Sequence, residues 1–94
     1  MYLISYDITN TKIRTKIAKT LEGYGRRVQY SVFECEISQK QLEILYQKLI
    51  ELMEKEQEGN IRIYQICANC MAKLMTIGIF VPVFTEEEEN LFII

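Results

Sequence analysis

Hydrophobic positions along the chain recur with two different periods, and the change between them predicts the secondary structure. Residues 2–8 form a short apolar run broken by an acid at Asp7, which predicts a buried strand ending at that acid. Residues 11–23 follow the helical period, with their apolar side chains on one face. Residues 28–37 alternate without Gly or Pro, which predicts strand. Because this run is long for one straight strand, we expect a turn near residues 30–32.

Two glycines separate the helical segment from the alternating one. Gly23 and Gly25 lie where the last turn of a helix often needs a residue that tolerates positive φ. We therefore predict that the helix ends at Gly23 or Gly25.

The second half of the chain repeats the helix-to-strand change. Ser38 and Gln41 match a capping box before an apolar helical pattern that runs to about residue 55. Residues 61–66 alternate as a half-buried strand, and residues 67–74 are compatible with a helical turn. Residues 76–84 predict a further strand, which Pro82 restricts to a sheet edge.

This order predicts an α+β fold of the ferredoxin-like βαββαβ type, with an extra C-terminal strand. Residues 1–80 would form the domain, and residues 81–94 a tail that pairs with a partner chain because it ends in four apolar residues. Since two helices cover only one face of the sheet, we expect a homodimer formed through the open sheet faces.

Charge is divided unevenly along the 94 residues, whose net charge is −2. Residues 1–40 carry a net charge of +3 and residues 41–94 a net charge of −5. A phosphate backbone responds to a local basic surface, so the first half is the candidate nucleic-acid-binding half. No apolar run is long enough to span a bilayer, and we expect a cytoplasmic protein.

The chain has no histidine, which excludes catalysis by an imidazole triad. Hydrolysis of a phosphodiester would then most simply use metal-activated water. Asp7, at the end of the first predicted strand, is either a functional acid or only caps the turn into the first helix. Arg14 is expected near Asp7. Lys16 belongs to a lysine face, completed by Lys12 and Lys19, that could equally be a solvated surface.

Cys67 and Cys70 form a lone CxxC motif. A zinc site needs four ligands, which only two chains together would supply, and a thioredoxin-like redox pair is disfavoured because the motif follows the last strand of the unit. Ordinary thiols are the preferred interpretation.

The order and spacing of several runs resemble the CRISPR-associated Cas2 family. Tyr6-Asp7-Ile8 ends the first strand, a basic helix follows, and residues 25–34 (GRRVQYSVFE) look like the family's most distinctive run. Residues 61–64 and the cysteines after them also look similar. The resemblance covers most of the chain.

The resemblance implies a prokaryotic CRISPR adaptation protein of antiviral defence, a metal-dependent endonuclease acting on RNA or DNA. It implies a dimer in which two copies of Asp7 share one Mg²⁺ ion, and a partnership with the Cas1 integrase. Catalytic roles would fall on Asp7, Tyr6, Arg14 and Arg27. Contacts with the nucleic acid would be made by a second set of residues, which overlaps with the catalytic set: Arg14, Lys16, Arg26, Arg27, Ser31 and Phe33.

Two positions depart from the family pattern. Lys16 stands where arginine is usual, which keeps the charge but loses the planar fork. Asn60 stands where an acid often precedes the strand of residues 61–64, which weakens any mechanism that needs a second carboxylate there. A metal held by two close carboxylates should bind weakly and better at higher pH.

Two other functions fit the same residues. The dimer could position a DNA duplex for the integrase without any chemistry of its own. Alternatively, the chain could be a toxin-like ribonuclease of the same fold, resembling the virulence-associated D type, which needs no integrase.

Overall fold

A four-stranded antiparallel sheet with two helices on one face forms the core of the protein. The structure is a computed structural model and describes residues 1–54 and 58–78. The elements in chain order are β1 Tyr2–Asp7, α1 Thr11–Glu22, β2 Arg26–Gln29, β3 Val32–Cys35, α2 Gln39–Met53, β4 Asn60–Gln65 and α3 Ala68–Met71. The strand order β2-β3-β1-β4, together with the βαββαβ succession, is the ferredoxin-like fold predicted from the sequence.

Alternation along the strands gives the sheet two different faces. On β1, Tyr2, Ile4 and Tyr6 are buried, whereas Leu3 and Ser5 are only partly buried and Asp7 is exposed. Because successive side chains point to opposite faces, the first three lie on the helix-covered face and the other three on the uncovered face.

The hydrophobic core lies between the covered face and the two long helices. Its fully enclosed side chains come from the sheet and from both helices: Ile4, Ile17, Leu21, Phe33, Cys35 and Leu45. The core therefore joins β1 and β3, the two central strands, to one stripe of each helix.

Both long helices begin with polar caps, and the cap of α2 is the one that the sequence predicts. The Asn10 side chain accepts a hydrogen bond from Ile13 N at 3.0 Å, and α1 starts one residue later. At α2 the capping box is complete: Ser38 Oγ accepts from Gln41 N at 3.1 Å, and Ser38 N donates to Gln41 Oε1 at 2.9 Å.

The long strand segment is divided by a turn at Tyr30 and Ser31, as predicted. A register shift between Arg27 and Gln29 also interrupts β2. This irregularity places an extra residue in β2, so strict alternation cannot be extended from β3 back through the turn.

The prediction that α1 ends at Gly23 or Gly25 is confirmed at Gly23, although neither glycine has positive φ. Gly23 ends α1 in a right-handed conformation, with φ −76°, and the described glycines with positive φ are Gly59 and Gly78. Gly25 is needed for a different reason: a Cβ there would collide with Glu34 O and lie 2.5 Å from Cys35 Sγ. The absence of a side chain thus lets β2 begin directly against β3.

Beyond β4 the chain forms the short helix α3, as expected for residues 67–74, and residues 76–78 are not strand. The predicted strand at 76–84 and the tail at 81–94 otherwise fall outside the described residues. Within the described ranges, no helix has the length and apolar character needed to cross a membrane.

Candidate functional site

Asp7 is the last residue of β1, and its side chain lies exposed on the uncovered face of the sheet. Its partner in the antiparallel register is Asn60, the first residue of β4. Gly59 has φ +98°, and a Cβ at this position would lie 2.6 Å from Asp7 O. Only glycine permits this conformation without strain, so the start of β4 can approach the end of β1 closely.

The alternative in which Asp7 only caps the turn into α1 does not match the structure. Asn10 caps α1, as its hydrogen bond to Ile13 N demonstrates. Among residues 1–54 and 58–78, the Asp7 carboxylate takes part in neither a side-chain hydrogen bond nor an ion pair. Within this part of the chain the carboxylate is therefore left available to a ligand.

Arg14 fixes the loop that follows Asp7. Its Nη1 donates to Ile8 O at 3.2 Å and to Thr9 O at 3.4 Å, and its Nη2 donates to Thr11 Oγ1 at 3.3 Å. Its guanidinium also lies 5.9 Å from the centre of the Tyr30 ring. Arg14 thus connects the β1–α1 loop, which begins directly after Asp7, to the β2–β3 turn.

Arg27 lies beneath the sheet, on the covered face, and is only 4% exposed. Its guanidinium is 5.0 Å from the centre of the Phe33 ring, and its Nη2 lies 3.5 Å from Tyr6 Oη. The Tyr6 hydroxyl donates to Tyr30 O at 3.3 Å, and the Tyr6 and Phe33 rings are 6.4 Å apart. These contacts link β1, β2, β3 and the turn between the last two.

The predicted site residues therefore fall into two groups. Tyr6, Arg27 and Phe33 are buried on the covered face, where in this conformation they offer no surface to a nucleic acid. Three others are exposed: Asp7 at the end of β1, Lys16 on α1 and Arg26 at the start of β2. The last two are partly buried: Arg14 on α1 and Ser31 in the β2–β3 turn.

The exposed cations differ in their surroundings. Arg26 forms an ion pair with Glu34 of the neighbouring strand, at 3.0 Å between Nη2 and Oε1. Lys16 projects from the exposed side of α1, as do Lys12 and Lys19. Ser31 contributes its backbone to the sheet, because Ser31 O accepts a hydrogen bond from Tyr6 N at 3.1 Å.

Comparison with known proteins identifies the family. The sequence model of the family described as "CRISPR associated protein Cas2" matches residues 1–74. The chain belongs to the CRISPR-associated Cas2 family. The resemblance inferred from Tyr6-Asp7-Ile8 and from the run at residues 25–34 is confirmed.

Curated Cas2 relatives match along most of their length. A protein from Chloroflexus aurantiacus named "CRISPR-associated endoribonuclease Cas2 1" is 45% identical over 99% of this chain and 98% of its own. A protein from Halalkalibacterium halodurans named "CRISPR-associated endonuclease Cas2" is 39% identical over 83% of this chain and 85% of its own.

Solved structures share the fold. A hypothetical protein from Thermus thermophilus is 33% identical, with a TM-score of 0.73 over 86% of this chain and 94% of its own. Streptococcus pyogenes Cas2 is 29% identical, with a TM-score of 0.71 over 82% and 98%. A chain from a structure titled "Partial Cas6-RT-Cas1--Cas2 complex" is 33% identical, with a TM-score of 0.73 over 81% and 82%.

A single chain of this Cas2-family protein provides few ligands for a metal ion. No group of three or more His, Cys, Asp or Glu side chains capable of holding a metal occurs in the described part of the chain. At the end of β1 the oxygen donors are the Asp7 carboxylate and, opposite it, the Asn60 amide. Oxygen donors suit Mg²⁺, which commonly uses one or two carboxylates and keeps several waters. The donor chemistry fits Mg²⁺, but the number of carboxylates fits only if a second copy adds its own.

Two residues near the site did not emerge from the sequence. Tyr30 connects the Arg14 and Tyr6 contacts, and Arg62 lies opposite Ser5 on the uncovered face, diagonal to Asp7. Arg62 could have been found, because Asn60, Arg62 and Tyr64 share one face of an alternating strand. Tyr30 could not, since the register shift in β2 and the turn interrupt the alternation around it.

Proposed function

We propose that the protein is a Mg²⁺-dependent endonuclease of CRISPR adaptation that hydrolyses phosphodiester bonds of RNA or DNA as a homodimer. The single observation that carries this proposal is the Asp7 carboxylate, exposed at the end of a central strand and not engaged by the described residues. Relatives with the same family fold are named as endoribonucleases and endonucleases, which supports nuclease activity here.

The homodimer would form through the uncovered face. Leu3, Val32 and Tyr64 place apolar side chains on that face, and Tyr64 is 46% exposed. Apolar side chains next to charged ones are typical of an interface surface. Two copies packed through this face would bring the two Asp7 carboxylates towards each other, because Asp7 lies on the same face and in the same strand as Leu3.

The metal would be held by Asp7 of both copies. Mg²⁺ bound there would supply positive charge to the scissile phosphate and make a nearby water more acidic. Two carboxylates held close together each favour the protonated form of the other unless a cation intervenes, so binding of the metal should be weak and improve as pH rises.

In this proposal the buried residues position the acid and do not touch the nucleic acid. Arg27, Tyr6 and Phe33 hold the end of β1 against β2 and β3, while Arg14 fixes the loop after it. Direct phosphate contacts then fall to the exposed cations Lys16 and Arg26, with Ser31 and the partly buried Arg14 as further candidates.

The experiment is cleavage of single-stranded RNA and of duplex DNA with Mg²⁺ and with chelator, for wild type, Asp7→Asn and Glu22→Gln. Asp7→Asn removes the charge with almost no change of shape, and we expect the rate to fall at least about a hundredfold. Glu22→Gln makes the same change at an exposed acid ending α1 and should retain wild-type activity. Chelator-resistant cleavage, or equal cleavage by all three proteins, would contradict the metal role of Asp7.

The dimer is tested separately by sedimentation of two matched tyrosine variants. Tyr64→Lys introduces a charge on the uncovered face, and we expect monomers at concentrations where the wild type is dimeric. Tyr46→Lys makes the same change on α2, where the tyrosine is 51% exposed, and should leave the dimer intact. Dissociation by Tyr46→Lys but not by Tyr64→Lys would move the interface to the helix side.

A second candidate function is that of a DNA-positioning scaffold for the Cas1 integrase. The fold similarity to a chain of a Cas1–Cas2 complex favours it, as does the row of exposed lysines on α1. In that case Lys16→Glu and Arg26→Glu should weaken duplex DNA binding and lower its salt dependence, whereas Asp7→Asn should bind normally. Lys40→Glu, an equal charge change at the start of α2, is the control. Membership of the Cas2 family favours both functions over the toxin-like ribonuclease.

A further inference from the structure

Cys67 and Cys70 lie on the surface, at the point where the chain leaves β4. Their Sγ atoms are 3.3 Å apart, and both residues are exposed. Cys67 precedes α3, and its Sγ accepts a hydrogen bond from Cys70 N at 3.4 Å. The third cysteine, Cys35, is fully buried in the core between β3 and the helices. The two exposed thiols therefore form a pair that is separated from Cys35.

We propose that Cys67 and Cys70 form a redox-active dithiol that closes to an intramolecular disulfide on reaction with a low-molecular-weight disulfide such as oxidised glutathione. The geometry carries this inference. A disulfide bond is about 2.05 Å long, so the two sulfurs need to approach by only about 1.2 Å, which rotation of exposed side chains can supply. The spacing of three residues already holds them on the same side of one helical turn.

The electrostatics assign different roles to the two thiols. The hydrogen bond from Cys70 N, followed by that from the Cys70 side chain, lowers the pKa of the Cys67 thiol below its ordinary value. The hydrogen bond to Cys67 and the negative charge of its thiolate raise the pKa of Cys70. Cys67 is thus the attacking thiolate and Cys70 the resolving thiol.

The reaction balances in two exchanges. The Cys67 thiolate attacks one sulfur of the external disulfide, forms a mixed disulfide and releases one thiolate. Cys70 then loses its proton and attacks the Cys67 sulfur, forming the Cys67–Cys70 bond and releasing the second thiolate. The two cysteines lose two electrons and two protons, and the external disulfide becomes two thiols.

A metal centre is the competing use of the same thiols. Zinc requires four ligands, and the described residues provide no third acidic, thiol or imidazole group beside this pair. Two thiols at 3.3 Å that face solvent therefore fit reversible oxidation better than zinc binding.

The redox pair also lies at a structural junction. Residues 68–76 run from β4 towards β2, since Met71 lines a groove with Met1, Gly25 and Arg26, and Leu74 and Thr76 line another with Arg26 and Val28. A disulfide at residues 67 and 70 would fix the turn that starts this path. Because the sulfurs are already close, we expect oxidation to leave the sheet and core unchanged.

The test treats the native protein with oxidised glutathione and measures free thiols, intact mass and the linked peptides. We expect two of the three thiols to disappear, the mass to fall by two hydrogen atoms, and one peptide link between residues 67 and 70. Cys35→Ala should give the same two-thiol loss. Retention of all thiols, adducts at Cys35, or disulfides only between chains would overturn the proposal.

Matched serine variants test the two roles. Cys70→Ser should accumulate a stable glutathione adduct at Cys67. The rate of adduct formation should reach half of its maximum at a lower pH than it would for an ordinary thiol. Cys67→Ser should form the corresponding adduct at least about tenfold more slowly at neutral pH. Equal trapping rates would overturn the assignment of Cys67 as the attacking thiolate. Protein that is purified with tightly bound zinc and fully protected thiols would replace the redox proposal by a shared metal site.

Discussion

The two faces of the same sheet are built for different purposes, although their residues alternate along the same strands. The covered face buries Tyr2, Ile4 and Tyr6 between the sheet and the helices. The uncovered face carries Ser5 and Asp7 from the same strand, and the carboxylate of Asp7 is exposed. Burial on one face stabilises the sheet, which in turn holds the charge on the other face in a fixed position.

Two consecutive arginines repeat this contrast within one strand. Arg26 is exposed and forms an ion pair with Glu34, whereas Arg27 is buried against Phe33 and Tyr6. Two identical side chains therefore contribute differently to folding stability. An exposed ion pair adds little, whereas the contribution of a buried cation depends on its packing and its partners. The sequence Arg26-Arg27 alone does not distinguish them.

The largest expected effect is that of removing the buried arginine. Arg27→Ala should lower the free energy of unfolding by about 2–4 kcal/mol, because it leaves a cavity beside Phe33 and removes a partner of Tyr6. Arg26→Ala should change it by less than about 0.5 kcal/mol. Urea unfolding of both variants measures the difference, and equal losses would mean that the two positions are not distinguished by burial.

The next effect concerns the close contact between β2 and β3. Gly25→Ala should destabilise the protein by about 1–3 kcal/mol, since the added Cβ collides with Glu34 O and Cys35. Gly23→Ala is the matched control: its Cβ would lie 3.4 Å from Thr20 O, at the end of α1, where φ is −76°. We expect Gly23→Ala to be neutral or slightly stabilising. If thermal unfolding showed Gly23→Ala to be less stable than Gly25→Ala, the result would contradict the observed contact between β2 and β3.

A pH effect on stability should arise from Cys35 on the covered face. Burial raises the pKa of the Cys35 thiol to about 11 from an ordinary value of 9.0. The folded state thus keeps a proton that the unfolded state releases, so stability is fully present below pH 9 and declines as pH rises from about 9 to about 11. Cys35→Ala should be less stable at neutral pH but should lose less further stability over this interval, as measured by urea unfolding at several pH values.

The smallest effect is expected on the uncovered face. Arg62→Ala should change the free energy of unfolding by less than about 0.5 kcal/mol, because the side chain is exposed. Its neighbour Ile63 packs against the core, and Ile63→Ala should cost about 1–2 kcal/mol, less than for a fully buried isoleucine. A large loss for Arg62→Ala in the monomer would indicate that this face is already packed within one chain.

The fold was largely predictable from sequence because its signals are local. Period, caps and the turn at residues 30–31 each depend on residues close together in the chain, as the Ser38–Gln41 capping box illustrates. The candidate acid was also predictable, since Asp7 ends an apolar run. That Asp7 does not cap the turn into α1 was not predictable, because only the hydrogen bond from Ile13 N shows that Asn10 is the cap.

The succession of strands and helices, the family and the acid at the end of β1 can all be inferred from sequence, because they depend on local pattern and on the spacing of a few runs. The folded chain is needed to show that Arg27 and Phe33 are interior residues and that Gly25 is required by contact between strands. It is also needed to place the Sγ atoms of Cys67 and Cys70 3.3 Å apart. Burial and close approach depend on segments distant in the chain, and the register shift in β2 removes the alternation from which faces could have been assigned.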